Sequence, residues 1–193
     1  MKEGRIVFVV GAPGAGKGDN IGLAYKAGYT GKIFVTSNGL KDLCAEKMAA
    51  GELISDDIVV AHTHGWIKPN LRELDVGVDL MVDGGIRRSG QARYVIDVLA
   101  QKLKLLPQII IVHLDLSVDV ARARCGGRNR GPDDSGEALE KRFAEYRQET
   151  IPAIEMVREE LSSCYVRIDA EPSLDKVFED FSEVLGLKRS AVV

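Results

Sequence analysis

The chain has 193 residues, 45% hydrophobic and 28% charged, with a formal net charge of −3. That length suits one domain spanning residues 1–193 with a real core, and the charge argues against general nucleic-acid affinity. No apolar run approaches the ~18–20 residues of a membrane span. Cys44, Cys125 and Cys164 are too few and too far apart for a disulfide framework or a zinc site. Met1 to Arg5 run straight into an apolar stretch without a signal-peptide pattern, so the expected location is cytoplasmic.

Residues 5–10 read as the first strand, apolar throughout as in strands covered on both faces. Gly11-Ala12-Pro13-Gly14-Ala15-Gly16-Lys17-Gly18-Asp19-Asn20 follows, and a helix over 21–27 comes next. Strand, glycine-rich turn, lysine and helix make the layout of a phosphate-binding loop. Glycines let backbone N–H groups surround phosphate oxygens, while the helix N-terminus and Lys17 supply positive charge. The loop departs from the usual pattern after the lysine. Gly18 and Asp19 stand where a hydroxyl would meet Mg²⁺. Asp19 either ligates the metal, turns away as a helix-start residue, or weakens the site.

Further strands are expected over 32–36, 78–82, 108–114 and 165–168, with helices over 40–50, 56–66, 89–104, 135–162 (kinked at Pro152) and 173–185. Alternating units of this kind imply a parallel sheet with right-handed crossovers and ligands at the carboxyl ends of its strands. Gly11, Ser37, Asp83 and Asp115 fall at those ends. His62 and His64 are two apart, on different sides of a helix, with no carboxylate or cysteine to complete a metal set. They and Trp66 read as packing residues. Residues 125–136 read as a polar surface loop, and 188–193 as a frayed tail.

Asp83-Gly84-Gly85-Ile86-Arg87 closes the third strand, with Gln91 four residues on. A strand-end aspartate beside a phosphate loop suits water-mediated Mg²⁺ binding, and Arg87 can fork onto phosphate. Arg122, Arg124, Arg128, Arg130 and Arg142 flank Asp133-Asp134. Arginines among glycines in such a loop can close over polyphosphate and neutralise its charge.

These motifs, in this order, resemble the nucleoside monophosphate kinase family of adenylate kinase or UMP/CMP kinase type. The family's GGPGSGKGTQ loop appears as GAPGAGKGDN, and its DGFPR with a following Gln as DGGIR with Gln91. Its arginine lid segment appears as Arg124, Arg128, Arg130-Gly131-Pro132-Asp133-Asp134, Lys141-Arg142-Phe143 and Tyr146. Gly51-Glu52-Leu53-Ile54 resembles its G-x-L-V. The resemblance covers nearly the whole chain. It implies a five-stranded parallel sheet in the order 2-3-1-4-5 flanked by helices, a mobile acceptor-binding segment at about 37–67 and a short mobile lid at about 125–134. It also implies a monomer.

By resemblance, ATP is held by Gly11, Pro13, Gly14, Ala15, Gly16, Lys17, Gly18 and Asp19, with Arg124 stacked on its base. The acceptor monophosphate is met by Gly51, Leu53, Ile54, Gly84, Arg87 and Gln91, with Gln91 reading the base. Lys17, Arg87, Arg128, Arg130 and Arg142 carry catalysis, and Asp83 with Asp19 hold Mg²⁺ through water. The family's acceptor-phosphate arginine is missing. Its register falls on Asp42 or Leu43, beside Lys41. The expected reaction is phosphate transfer from ATP to AMP. The alternatives are another nucleoside monophosphate, a non-nucleotide acceptor as in shikimate- or gluconate-type kinases, and a silent nucleotide-binding module.

Overall fold

In a computed structural model, residues 3–40, 44, 54–127 and 136–187 are described. Five strands form one parallel sheet: β1 Ile6–Gly11, β2 Lys32–Val35, β3 Leu80–Asp83, β4 Ile109–Asp115 and β5 Tyr165–Asp169. Their spatial order is β2-β3-β1-β4-β5, as the resemblance implies. Consecutive residues of a strand point to opposite faces. Ile6, Val7, Phe8 and Val9 are all 0% exposed, so helices cover both faces of the central strand.

The longer or site-bearing helices are α1 Lys17–Lys26, α2 Asp56–Asn70, α3 Ser89–Arg93, α4 Val118–Gly126, α5 Gly136–Glu145, α6 Ile151–Glu160 and α7 Leu174–Leu185, with a single turn at Arg72–Asp75 between α2 and β3. Packing joins α1 to α7, and α3 to both α2 and α6. Phe8, Phe143 and Phe181 are among the largest fully buried side chains, so the core runs through the sheet into α5 and α7. No described helix is long and apolar enough to cross a membrane.

The strands match the expected segments with ends shifted by one or two residues. Thr36 is helical, because residues 36–40 already turn after β2. The first helix starts at Lys17 rather than residue 21, since the loop feeds it directly. The helix expected to end at residue 104 stops earlier. After α3 the chain runs as a wide π turn over Tyr94–Lys102, and Lys104 takes a left-handed φ of 56°. The long helix over 135–162 is interrupted near the expected place. A π turn over Tyr146–Thr150 lies directly upstream of Pro152, whose missing N–H cannot continue the regular ladder. The helical segment expected at 40–50 lies mostly outside the described residues.

Arg5 fixes where the sheet begins. Its Nη2 meets Asp79 Oδ2 at 2.7 Å, and its Nη1 and Nη2 donate to the Val184 and Leu185 carbonyls, each at 2.8 Å. The start of β1, the approach to β3 and the end of α7 therefore share one guanidinium.

Candidate active site

The apolar β1 ends at Gly11, and the chain wraps back into α1 through the loop. Gly14 has φ 86°, and a Cβ there would lie 2.7 Å from the Ala121 carbonyl and 3.1 Å from Cys125 Sγ. Only glycine fits the left-handed turn while letting the loop press on α4. Ala12 and Ala15 are buried beneath it. Gly16, in left-handed conformation, caps α1, and its carbonyl accepts from both the backbone and the side-chain nitrogen of Asn20, each at 2.9 Å. Lys17 Nζ donates to the Gly11 and Ala12 carbonyls at 2.8 and 3.1 Å. Gly18 is exposed, with open space where a Cβ would sit, which leaves the N-terminus of α1 accessible. Asp19 lies in the first turn of α1, where the helix dipole favours an acid.

Asp83 ends β3 and stands in register with Val9, two residues before Gly11. It is therefore the neighbour of the loop. Gly84 follows with φ 75°, and the Arg87 side chain folds back over it, Nη2 3.0 Å from where a Cβ would sit. Arg87 lies within electrostatic reach of Asp83, Arg142 and Glu145. Solvent reaches its side chain, yet protein surrounds it closely enough to lower its pKa, mainly by desolvation, with Arg142 adding to the effect and the two acids opposing it. An accessible cation in a concave wall describes a cleft. An arginine stays protonated there.

The Arg87 backbone is gripped on both sides. Its N–H donates to Gln91 Oε1 at 2.8 Å, and its carbonyl accepts from Thr150 Oγ1 at 3.0 Å. Gln91 Nε2 donates to Asp56 Oδ1 at 3.0 Å, and Gly90 N–H donates to Asp56 Oδ2 at 3.1 Å. Arg88 Nη1 approaches the Ile54 carbonyl at 3.5 Å.

Arg124 donates to the carbonyls of Ala170, Glu171 and Pro172 at 2.7, 2.9 and 3.1 Å, which ties α4 to the loop after β5. Arg122 bonds Glu140 at 2.9 Å and lies over the Phe143 ring, so it clasps α5 to α4. Arg142 lies on α5 and is partly buried. Arg128, Arg130, Asp133, Asp134, Gly51, Leu53, Lys41, Asp42 and Leu43 lie outside the described residues. His64 Nδ1 meets Tyr94 Oη at 3.0 Å, while Phe34 lies 4.9 Å from the His62 ring and stacks on Trp66 at 5.0 Å. These are packing roles, as the sequence indicated.

The structure thus brings Lys17, Asp83, Arg87 and Arg142 toward the carboxyl end of the sheet. It adds three groups that sequence reasoning missed: Asp56, Thr150 and the carbonyls of 170–172. Asp56 had one weak signal, its place at a helix start. The others had none, because a backbone carbonyl leaves no mark in a sequence.

A glycine-rich loop opening a helix beside a 2-3-1-4-5 parallel sheet defines a P-loop α/β kinase fold. No protein-family model matches the chain. The adenylate kinase of Xanthomonas euvesicatoria pv. vesicatoria (strain 85-10) is 34% identical over 151 residues, covering 77% of this chain and 75% of that protein. The adenylate kinase of Mycobacterium sp. (strain MCS) is 31% identical over 189 residues, covering 93% and 98%. The chain belongs to the adenylate kinase family and is an adenylate kinase-like nucleoside monophosphate kinase, a phosphotransferase.

Proposed function

We infer that this enzyme moves the terminal phosphate of ATP to AMP, giving two ADP. The observation that carries the reading is the approach of Arg87, Arg142 and Asp83 to one another beside the phosphate loop. Two cations from separate elements suit a transferring phosphoryl group, whose charge spreads over several oxygens.

Lys17 exchanges its two loop carbonyls for the donor's outer phosphates, and the amides of Gly14, Ala15, Gly16 and Gly18 hold the rest of the chain of phosphates. Gly11 and Pro13 shape the loop. The Arg124 fork donates in its own plane to three carbonyls, which leaves its flat faces for the donor base. Arg87 holds the acceptor phosphate, and Gly84 lets that side chain fold close. Gln91 reads the acceptor base, with Gly51, Leu53 and Ile54 beside it. Arg142 stabilises the transferring group, and Arg128 and Arg130 join it by family resemblance.

Among the described residues no group of three or more His, Cys, Asp or Glu side chains comes together as a metal cage. A lone oxygen donor at the end of β3 suits an ion held chiefly by phosphates and water, as Mg²⁺ is. Asp83 and Asp19 would hold it through water, and its charge would offset that of the phosphates. We take the chain as one domain working as a monomer in the cytoplasm, the oligomeric state being checked by sedimentation.

A coupled diphosphate assay with Mg-ATP against AMP, CMP, UMP and GMP tests the reaction. Turnover of AMP above the others supports it. Turnover of a pyrimidine monophosphate instead renames the acceptor. No turnover of any monophosphate, with ATP bound, overturns it.

A further inference from the structure

The Gln91 side chain has no choice of orientation. Its Oε1 accepts from the Arg87 N–H and its Nε2 donates to Asp56. A backbone N–H only donates and carboxylate oxygens accept. Rotating the amide by half a turn would set donor against donor at Arg87 and acceptor against acceptor at Asp56. Gln91 is 4% exposed, so water cannot make good either loss. Thr150 holds the Arg87 peptide from its other side. The second oxygen of Asp56 takes the Gly90 N–H. That close approach depends on glycine, since a Cβ at position 90 would lie 2.4 Å from Asp56 Oδ2.

An amide nitrogen has two N–H donors and an amide oxygen two lone pairs. One of each remains on Gln91, in a fixed order. A base meeting that edge must bring a donor to Oε1 and an acceptor to Nε2. Adenine (N6–H and N1) and cytosine (N4–H and N3) present that pair. Hypoxanthine and guanine (O6 and N1–H) and uracil (O4 and N3–H) present the reverse. A glutamine able to turn over would accept both kinds.

We propose that Asp56 is a specificity-determining residue, which locks the polarity of the Gln91 amide and so selects amino bases over oxo bases in the acceptor. This rests on Gln91 reading the acceptor base, as proposed above. It narrows the acceptors to AMP and CMP against GMP, IMP and UMP.

The test is equilibrium binding of AMP, IMP, CMP and UMP to the full-length protein, its Asp56→Asn variant and its Gly90→Ala variant. Asn at position 56 offers a donor as well as an acceptor, so a turned amide no longer meets an acceptor there and only the Arg87 N–H still opposes it. Ala at position 90 displaces the carboxylate without removing it, and at a helix start it favours the helix over glycine. The native protein should bind AMP over IMP and CMP over UMP. Each variant should cut those ratios by about tenfold or more, the size of one lost bidentate pairing. Thermal melts run alongside separate general loosening, which weakens all four ligands alike, from a change in the ratios. Equal affinities in the native protein, unchanged ratios in both variants, or no binding of any monophosphate overturns the proposal. Binding with the expected preference but without phosphate transfer leaves this inference standing and removes the proposed reaction instead.

Discussion

Lys17 places a point charge on a flexible stem among the fixed dipoles of the loop. With its ammonium on the Gly11 and Ala12 carbonyls it already faces the loop interior. Lys17→Ala should lower kcat/KM by about 10²–10³-fold, the scale of losing one charge-stabilising donor, in steady-state assays with the fold intact by circular dichroism. Gly14→Ala sets a Cβ into the Ala121 carbonyl at a positive φ. It should cost roughly 1–3 kcal/mol in denaturant melts and weaken ATP binding together with stability.

His113 is 8% exposed, its Nδ1 2.6 Å from Tyr165 Oη, beside a cleft of about 230 Å³ at the ends of β4 and β5. Burial pushes its pKa down to about 4, with Asp115 opposing and Arg167, Lys17 and Arg158 assisting. Tyr165 is pushed up to about 12, again mainly by burial, so a neutral phenol meets a neutral imidazole. The unfolded chain therefore takes up this proton first, near pH 6.5. Full stability is present above that pH and falls as pH drops toward 4, by roughly 3 kcal/mol in all. His113→Gln should flatten that acid limb in pH-dependent melts, and an unchanged slope would assign it to other groups.

At the scale of elements, the sheet was legible because continuous apolar runs mark doubly covered strands. The loop was legible because its glycines and lysine answer a single steric demand. The π turns at Tyr94–Lys102 and Tyr146–Thr150 were not, since apolar spacing barely distinguishes a slightly wider helix. Arg124 shows the same limit. Its residue type pointed to the site, but its anchorage on 170–172 joins positions some 46 residues apart. Thr150 belongs to both lessons, a hydroxyl on an unforeseen π turn reaching a carbonyl 63 residues upstream. Thr150→Val keeps the shape and leaves the Arg87 carbonyl without this donor. It should cost about 1 kcal/mol of stability and raise KM for the monophosphate a few-fold while KM for ATP holds. An equal rise in both constants would mean that the hydrogen bond serves the fold alone.

At the scale of the whole molecule, Arg5 ties the start of β1 to the end of α7. Its side chain and that of Asp79 are 14% and 11% exposed. Arg5→Met strands a largely buried carboxylate and two carbonyls, and should cost about 3–5 kcal/mol in urea melts. Nucleotide affinity well below the melting temperature should stay native, because the clamp lies at the far end of the strands from the phosphate loop.

The same clamp sets an order of events during synthesis. Arg5 leaves the ribosome well before its partners Val184 and Leu185, which lie 179 and 180 residues further along the chain. The carbonyls that orient Arg124 also come late, at 170–172. A nascent chain can pair its early strands, but it adds β5 to β4 and anchors Arg124 only once residues 165–172 have been made. Chains that stop short of β5 thus display an open edge on β4, which quality-control proteases can read as a mark of incompleteness.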